Sequence, residues 1–557
     1  MKKEDIYKGL NVFLIAVSII RVLLQFKLPL SINVDQTADD GLLQNLALNL
    51  YNGDYLGKYD YLTLCKNSFY SYILAFCYKT MIPYTVLLSA FNIGSAYAIC
   101  RAVKKQFSKI SRSIIFVVLI YMPYTFSNLT ALRVYRNSVL PYFVLFVFAG
   151  FIALYLRKDE DRRKWISWVV LECICFPCFW YLKEDSIWIL PFCLVISILS
   201  LVWIFIHDRK VIVEKAICFL LPFMSLCIVT VAIMLVNYEY YGIATVNDRS
   251  KTEAGKFYSN LIAIDGAGGE NSSVWVDNQT LQSVAEISPT FSGIYNEMKK
   301  SDAFLTDGEM QGDYYIWKIR FTMNDMGYYE TATKANEIYA KMNDEVEAAF
   351  ESGDLKKDNL IHLSSQMRGL TMEGILGFIP KAISNMGHMS TYKNLEYNNL
   401  GSHGDVIRLE TQQYLLGNNT FKEHTTEYQE EAKEYQLHLC SHVNVLILIY
   451  QKLSKHMDVL AIICFVLYIS NMLYNMLKRK IYGQFDLFII LSGIILSAFL
   501  VALEVELFMS WFDDEMYSSF VEFYSVSEYP LISVFKYFSI AAICELVYKS
   551  KPIIKNS

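Results

Sequence analysis

The sequence predicts an all-α polytopic membrane protein, with about ten transmembrane helices and a large, mainly helical extracytoplasmic insert. Three observations carry this. Of 557 residues, 54% are hydrophobic and only 19% charged, with a mean hydropathy of +0.27. The apolar residues gather into nearly uncharged runs of about 18–22 residues, the length that crosses roughly 30 Å of hydrocarbon. Lysine and arginine collect between alternate runs. Such a run must be helical, because lipid offers no partner to a bare backbone N–H or C=O.

The first run, 10–28, has no small-residue cleavage site and is followed by others, so it reads as an anchor and not a removed signal peptide. Further spans are read at 83–101, 113–129, 138–156, 165–182, 186–206, 214–236, 457–477, 485–505 and 530–548. The segment Ser68–Met81 is apolar but short and holds Lys79, and reads as an interfacial or re-entrant helix. One set of span ends holds Lys2, Lys3 and Lys8, then Arg101, Lys104, Lys105, Lys109 and Arg112, then Arg157, Lys158, Arg162, Arg163 and Lys164. It continues with Arg209, Lys210, Lys215, Lys478, Arg479, Lys480, Lys549, Lys551 and Lys555. The opposite loops hold few, chiefly Lys27, Lys58, Lys66, Arg133, Arg136 and Lys183. The positive-inside rule puts the rich set and both termini in the cytoplasm of a cell bounded by this plasma membrane. Counting Ser68–Met81 as a span would turn Arg101–Arg112 outward.

Three parts follow: an N-terminal transmembrane module, 1–237, whose first outer loop is 29–67; an extracytoplasmic domain, 238–456; and C-terminal transmembrane helices, 457–557. In the insert, Ile338, Tyr339, Met342, Val346, Ala349 and Phe350 recur at helical spacing, and Gly353 stands where a helix would stop. A net charge of −5 carries no basic signal for nucleic acid. The cysteines mostly lie inside apolar runs and read as small buried hydrophobes. His438, Cys440 and His442 lack the fourth ligand of a structural zinc site. A phosphate-cradling Gly-rich loop with its lysine and a Gly-x-Ser-x-Gly elbow are missing, which argues against an ATP-driven pump and a serine hydrolase.

The most informative stretch is Asp35–Leu43, just past the first span. Leu42, Leu43, Leu46, Ala47 and Leu50 form an apolar stripe, with Gln44, Asn45 and Asn49 facing away, as in a helix lying on the membrane surface. Asp39 and Asp40 would then stand at the membrane lip, suited to act as base or electrostatic partner for a lipid-linked substrate. A plain structural role competes: acids favour the first helical turn, and Thr37 with Asp40 fits a capping box. Arg133 and Arg136, three apart, would share a helix face and could fork onto phosphate oxygens; carboxylate pairing or snorkelling is the alternative. Lys183, Glu184 and Asp185 either solvate a hairpin or face Asp39 and Asp40 across a cavity. Glu504, Glu506, Asp513, Asp514 and Glu515 read mainly as a solvated face.

These residues resemble the GT-C superfamily of integral-membrane glycosyltransferases, the polyprenyl-phosphate-sugar-dependent class, in which one span leads to a long outer loop carrying an acidic motif. Asp39-Asp40 matches that motif, followed by Asn52-Gly53-Asp54-Tyr55-Leu56-Gly57-Lys58-Tyr59. More narrowly the chain resembles an uncharacterised bacterial group with Arg-x-x-Arg after the third span, as at Arg133 and Arg136. That group has a charged triplet before Trp-x-Leu-Pro, here Lys183–Asp185 and Trp188–Pro191, and an insert opening like Asn237–Gly242. Lys183 departs from the arginine expected there, which weakens a bidentate phosphate role. The resemblance implies inverting sugar transfer from a polyprenyl-phosphate donor to a glycan, lipid or protein acceptor on the outer face. Asp39 or Asp40 would be the base. Arg133, Arg136 and Lys183 would neutralise the leaving phosphate, with Glu184 or Asp185 orienting the acceptor or holding a divalent cation such as Mg or Mn. A transporter or lipid flippase, with a polar cavity near mid-membrane, and a non-catalytic scaffold are the other classes; central charges in the spans are few, Arg21 and Glu172 foremost.

Overall fold

The computed structural model describes residues 3–269, 271–395, 401–418, 427–479 and 483–550. Lys2, Lys480, Lys551 and Lys555 of the charge pattern lie outside the described residues. The chain is helical, with no strand among the described residues. The N-terminal helices are α1 (Lys3–Lys27), α2 (Asp40–Asn52), α3 (Phe69–Thr80), α4 (Tyr84–Ala102), α5 (Lys109–Ile120), α6 (Leu140–Leu156), α7 (Ile166–Trp180), α8 (Leu190–His207) and α9 (Ile212–Tyr241). The insert forms α10 (Glu253–Ile262), α11 (Asn278–Ile287), α12 (Pro289–Met298), α13 (Tyr314–Asp325), α14 (Ala332–Ser352), α15 (Met372–Gly377), α16 (Ile379–Ser390) and α17 (Val406–Leu416). Then follow α18 (Glu427–Tyr474), α19 (Phe485–Phe508), α20 (Asp514–Tyr524) and α21 (Glu528–Ser550).

Among the described residues six segments are long and apolar enough to cross a membrane: Asp5–Lys27, Ser186–His207, Arg209–Tyr241, His438–Lys478, Phe485–Trp511 and Glu528–Tyr548. The other four predicted spans fall on shorter helices. α4 has 19 residues but carries buried Ser89, Asn92 and Ser95. α6 is apolar all round, so it sits at the centre of the bundle, with every residue but Phe146 buried among α4, α7, α8 and α21.

The span read at 113–129 is corrected. Its helix, α5, stops after 12 residues at Ile120, about 18 Å at 1.5 Å per residue. The reason is Arg21, fully buried in α1. Its Nε donates to the Ile120 carbonyl at 2.7 Å and its Nη2 to the Thr125 carbonyl at 3.1 Å. Asn92 adds a second donor to the Ile120 carbonyl at 3.0 Å. A cation at a helix C-terminus satisfies carbonyls that have no intrahelical partner, and Pro123 prevents the next turn. Across the boundary read at 456/457, α18 runs unbroken for 48 residues.

Two further expectations change. The stripe on α2 is buried against α3 and not against lipid, with the Ser71 hydroxyl donating to the Leu43 carbonyl at 2.8 Å. Gln44 is buried with it and does not face away. In the acidic loop, Asp513 to Glu515 are exposed, but Glu506 is buried and accepts a hydrogen bond from the Tyr517 hydroxyl at 2.5 Å.

The insert is fastened to the first loop at two places. Arg320 of α13 donates to the Tyr61 carbonyl and pairs with Asp248 at 3.0 Å, which accepts from the Tyr59 hydroxyl at 2.6 Å. The Asn247 side chain donates to the Cys65 carbonyl, and the Asp248 N–H to the Leu64 carbonyl, both at 3.0 Å. Further on, the His403 N–H donates to Ile32 and its carbonyl accepts from Val34. Within the insert, α14 buries Tyr339, Met342, Val346 and Ala349 and ends on Gly353, whose φ of +86° is the left-handed cap that glycine takes without steric cost. Replacing Arg21 by Leu should destabilise the protein by about 1–3 kcal/mol for each carbonyl left without its donor. The loss is read as a lower Tm in detergent; an unchanged Tm would show that α5 is terminated by other contacts.

Candidate functional site

The site forms where the first loop, the segment between α5 and α6 and the segment between α7 and α8 meet. A single rung of parallel pairing registers the first two. The Ser31 N–H donates to Leu132 and the Val134 N–H to Ser31, both at 2.9 Å. This pairing takes up the Arg133 backbone, while Arg136 opens a separate 3-10 turn. The two arginines therefore share no helix face, contrary to expectation, and each takes a different partner.

Arg133 grips Asp40 with both prongs, Nε to Oδ2 at 2.8 Å and Nη2 to Oδ1 at 2.9 Å. The Asp40 side chain is wholly buried. Arg136 donates through Nη1 to Glu184 Oε2 at 2.6 Å and through Nε to the Tyr135 hydroxyl at 3.1 Å. That hydroxyl donates to Asp39 Oδ1 at 3.3 Å, and the same carboxylate oxygen is bound by Lys66. Glu184 Oε1 accepts from the Asn67 N–H at 2.7 Å, next in sequence to Lys66. The interactions thus close a ring: Asp39, Tyr135, Arg136, Glu184, Asn67, Lys66 and back to Asp39. Lys183 and Asp185 pair with each other outside this ring, with the Lys183 ammonium 5.7 Å from the Tyr524 ring centre.

Neither aspartate caps α2. Asp39 occupies the N-cap position without a side-chain cap bond, so the capping box does not form. The two carboxylates are instead separated by environment. The Asp39 side chain is 46% exposed against 0% for Asp40, so Asp39 is the acid a substrate can reach. Burial alone would raise the Asp39 carboxyl, but Lys66, with Arg136 and Arg133 behind it, holds it at about 2. Glu184 is also held at about 2, its burial outweighed by Arg136 and the Asn67 N–H. At Asp40 burial prevails over Arg133, and the carboxyl is raised. Burial would lower the Lys66 ammonium, yet Tyr135 and Asp39 outweigh it and raise it.

The site has walls from elsewhere in the chain. Phe523 of α20 stacks on Tyr135 at 5.3 Å and lies under the Arg133 guanidinium at 4.6 Å. From the insert come Arg249 and Asp313, 3.8 Å apart, with Arg249 over the Trp317 ring at 5.0 Å. Both feel the ring's charges. Asp313 is raised by burial and by Asp39 against the pull of Arg249, and Arg249 helps hold Glu184 down. The Arg249 Nε is buried without a hydrogen-bond partner.

Of the residues expected from sequence, Asp39, Arg136 and Glu184 come together in one ring, Asp40 and Arg133 form its flank, and Lys183 and Asp185 pair with each other beside it, the Lys183 carbonyl accepting from the Asn67 side chain at 3.3 Å. Lys66, Tyr135, Arg249 and Asp313 were not anticipated as site residues. For Lys66 a signal existed, since a lysine in a charge-poor loop runs against the positive-inside bias. For the divalent cation, the donor set does not fit. Asp39, Asp40 and Glu184 are each turned to a cationic side chain, and among the described residues no three His, Cys, Asp or Glu side chains stand together to hold a metal ion. Comparison of the chain with protein-family models, curated proteins and solved structures gives no match.

Because Asp39 and Glu184 sit below the ordinary carboxylate range of about 4, they stabilise the fold fully above that range. Their contribution is lost as pH falls from about 4 through about 2. Tm followed against pH should hold down to about pH 4 and then drop. Lys66→Met should make that drop shallower, because Asp39 is then no longer held below its unfolded value and only Glu184 still contributes. Identical acid profiles would show that Lys66 does not hold Asp39 down.

Proposed function

We propose that this chain is an integral-membrane glycosyltransferase of the GT-C kind. It moves a sugar, with inversion, from a polyprenyl-phosphate donor to a glycan, lipid or protein acceptor on the outer face of the plasma membrane. In this reading the chain crosses the bilayer ten times, at α5 by a short helix continued through the turn at Pro123–Thr125, both termini are cytoplasmic and the insert is extracytoplasmic. The observation that carries it is the environment of Asp39: the accessible carboxylate of a ring whose cations, Lys66 and Arg136, stand ready for an anionic substrate.

The acceptor hydroxyl approaches Asp39, which orients it by accepting its hydrogen bond. Its oxygen attacks the anomeric carbon from the face opposite the phosphate. The new C–O bond forms as the bond to the phosphate oxygen breaks, with the electron pair leaving on the polyprenyl phosphate. A carboxylate held at about 2 is a weak base. It therefore takes the proton late, once bond formation has made the hydroxyl strongly acidic. Lys66 links the two events. Drawn to the departing phosphate, it loosens its hold on Asp39 and leaves that carboxylate more basic as the proton arrives. Arg136 and the unpartnered Nε of Arg249 offer charge-assisted donors to the same phosphate. Asp40 keeps Arg133 in place and does no chemistry.

The transporter reading finds less support. Arg21 is closed off against backbone carbonyls, and Glu172 is buried where α7 crosses Gly150 of α6.

The test is purified protein supplied with a panel of polyprenyl-phosphate sugars, scored for transfer or hydrolysis. Asp39→Asn should lower turnover per folded molecule by about 100-fold or more, and should also lower Tm, because Lys66 loses its carboxylate. Asp40→Asn should lower Tm by weakening the grip on Arg133. Wild-type turnover in Asp39→Asn would remove the proposed base. Arg249→Gln should raise KM for the lipid donor more than it lowers kcat. A KM unchanged from wild type would take the insert out of donor binding.

A further inference from the structure

The insert has two kinds of surface. Between Ile243 and Leu360, no large apolar side chain of the described residues is exposed, as expected of a domain in water. From Ile361 onward the pattern changes. Leu363, Met372, Leu376 and Ile383 are exposed, and on α17 Val406, Ile407 and Tyr414, the last two at 74% and 71%. Side chains this open recur on the membrane-crossing helices, for example Ile228 of α9 and Leu496 of α19. Water-soluble surfaces seldom carry so many close together.

The packing of these helices says what covers them. α16 lies against α19 and α21, two of the helices apolar enough to cross a membrane, and α17 lies against α3. Ala382, Asn385 and Met389 of α16 are buried, while Ile383 points out. On α3, Tyr72 and Phe76 are likewise open. The apolar surface of the bundle therefore runs on without a break in character onto α15, α16 and α17. α17 is itself two-faced: Leu409, Gln412, Leu415 and Leu416 are buried, and Ile407 and Tyr414, two turns apart, share the open side. That side also carries exposed Glu410 and Thr411, and an open face that mixes apolar and polar side chains and ends in a tyrosine is the pattern of a helix at the lipid–water boundary. Between α2 and α17 is a groove of about 530 Å³, lined by Leu48, Tyr51, Ile407 and Tyr414, with the polar Asn52 and Glu410 at its wall.

We propose that α15, α16 and α17 are seated in the bilayer leaflet on the insert's side, with lipid acyl chains covering their open apolar faces and entering the groove beside α2. The insert is then only partly a water-borne domain. α10 to α14 stand in water, and the later helices form a collar in the membrane boundary. The collar also sets the depth of the site. His403, three residues before α17, is hydrogen-bonded to Ile32 and Val34 on the strand-like segment that leads to Asp39. Seating α17 in lipid fixes Asp39 within a few residues of the boundary. None of this depends on the reaction the site performs.

The test uses the full chain in phospholipid nanodiscs, with the exposed Cys227 and Cys544 changed to alanine and the residual label on the parent subtracted. Nitroxide labels are placed at Leu376→Cys and Ile407→Cys, with Ile228→Cys as the lipid control and Lys299→Cys as the water control. The ratio of oxygen to nickel-chelate collision rates is then read at each site. Leu376 and Ile407 should shift from the Lys299 value to the Ile228 value. A ratio at both sites equal to that of Lys299 would put the collar in water and overturn the proposal. So would low collision rates for both reagents, which would mean that protein, such as a second copy of this chain, covers these faces.

Discussion

Charges gathered at the edge of a low-dielectric bundle must be neutralised where they stand, and this requirement organises the molecule. Asp39, Lys66, Arg136 and Glu184 come from three segments far apart in the chain. Each is tolerable only because the next supplies the opposite charge or a hydrogen bond. Their ring ties the three segments to one another. A ring of this kind leaves little freedom for its members, so its more accessible carboxylate, Asp39, keeps its position with respect to both cations.

The same rule governs the interior. Arg21 sits within apolar surroundings because the carbonyls at Ile120 and Thr125 receive it, and those carbonyls are available because α5 stops there. The helix end and the arginine explain each other. Around Asp248 and Arg320 a second network fastens the insert to the first loop, a few residues before Lys66. The insert is thereby bound to the segment that carries the site, and Arg249 and Asp313 arrive beside Asp39 as a consequence. α20 closes the remaining side with Phe523, which meets Tyr135 and Arg133.

Much of the helical framework was legible in the chain because long apolar runs have only one way to satisfy their backbone in lipid. Where reading failed, a polar side chain from elsewhere had intervened. The window 113–129 is uncharged and mostly apolar, and nothing in it announces Arg21. The stripe on α2 has the spacing of a lipid-lying helix, and only the presence of α3 turns it into protein core. Arg133 and Arg136 have helical spacing, yet the rung with Ser31 takes Arg133 out of any helix. The site was half legible: acids and arginines in charge-poor loops call for partners, but spacing cannot say which partner each one takes.

The sequence alone determined that the chain is helical and apolar enough to enter a membrane, and it picked out Asp39, Arg136 and Glu184 as charges in unexpected places. These follow from composition and local periodicity, which any stretch carries within itself. Only the tertiary structure decided that Asp39 is open while Asp40 is sealed by Arg133, and that Lys66 and Tyr135 complete the ring. It likewise brought Arg249 and Asp313 of the insert to the same place. Burial and ion pairing depend on what other segments bring near, and that proximity is not written at any single position.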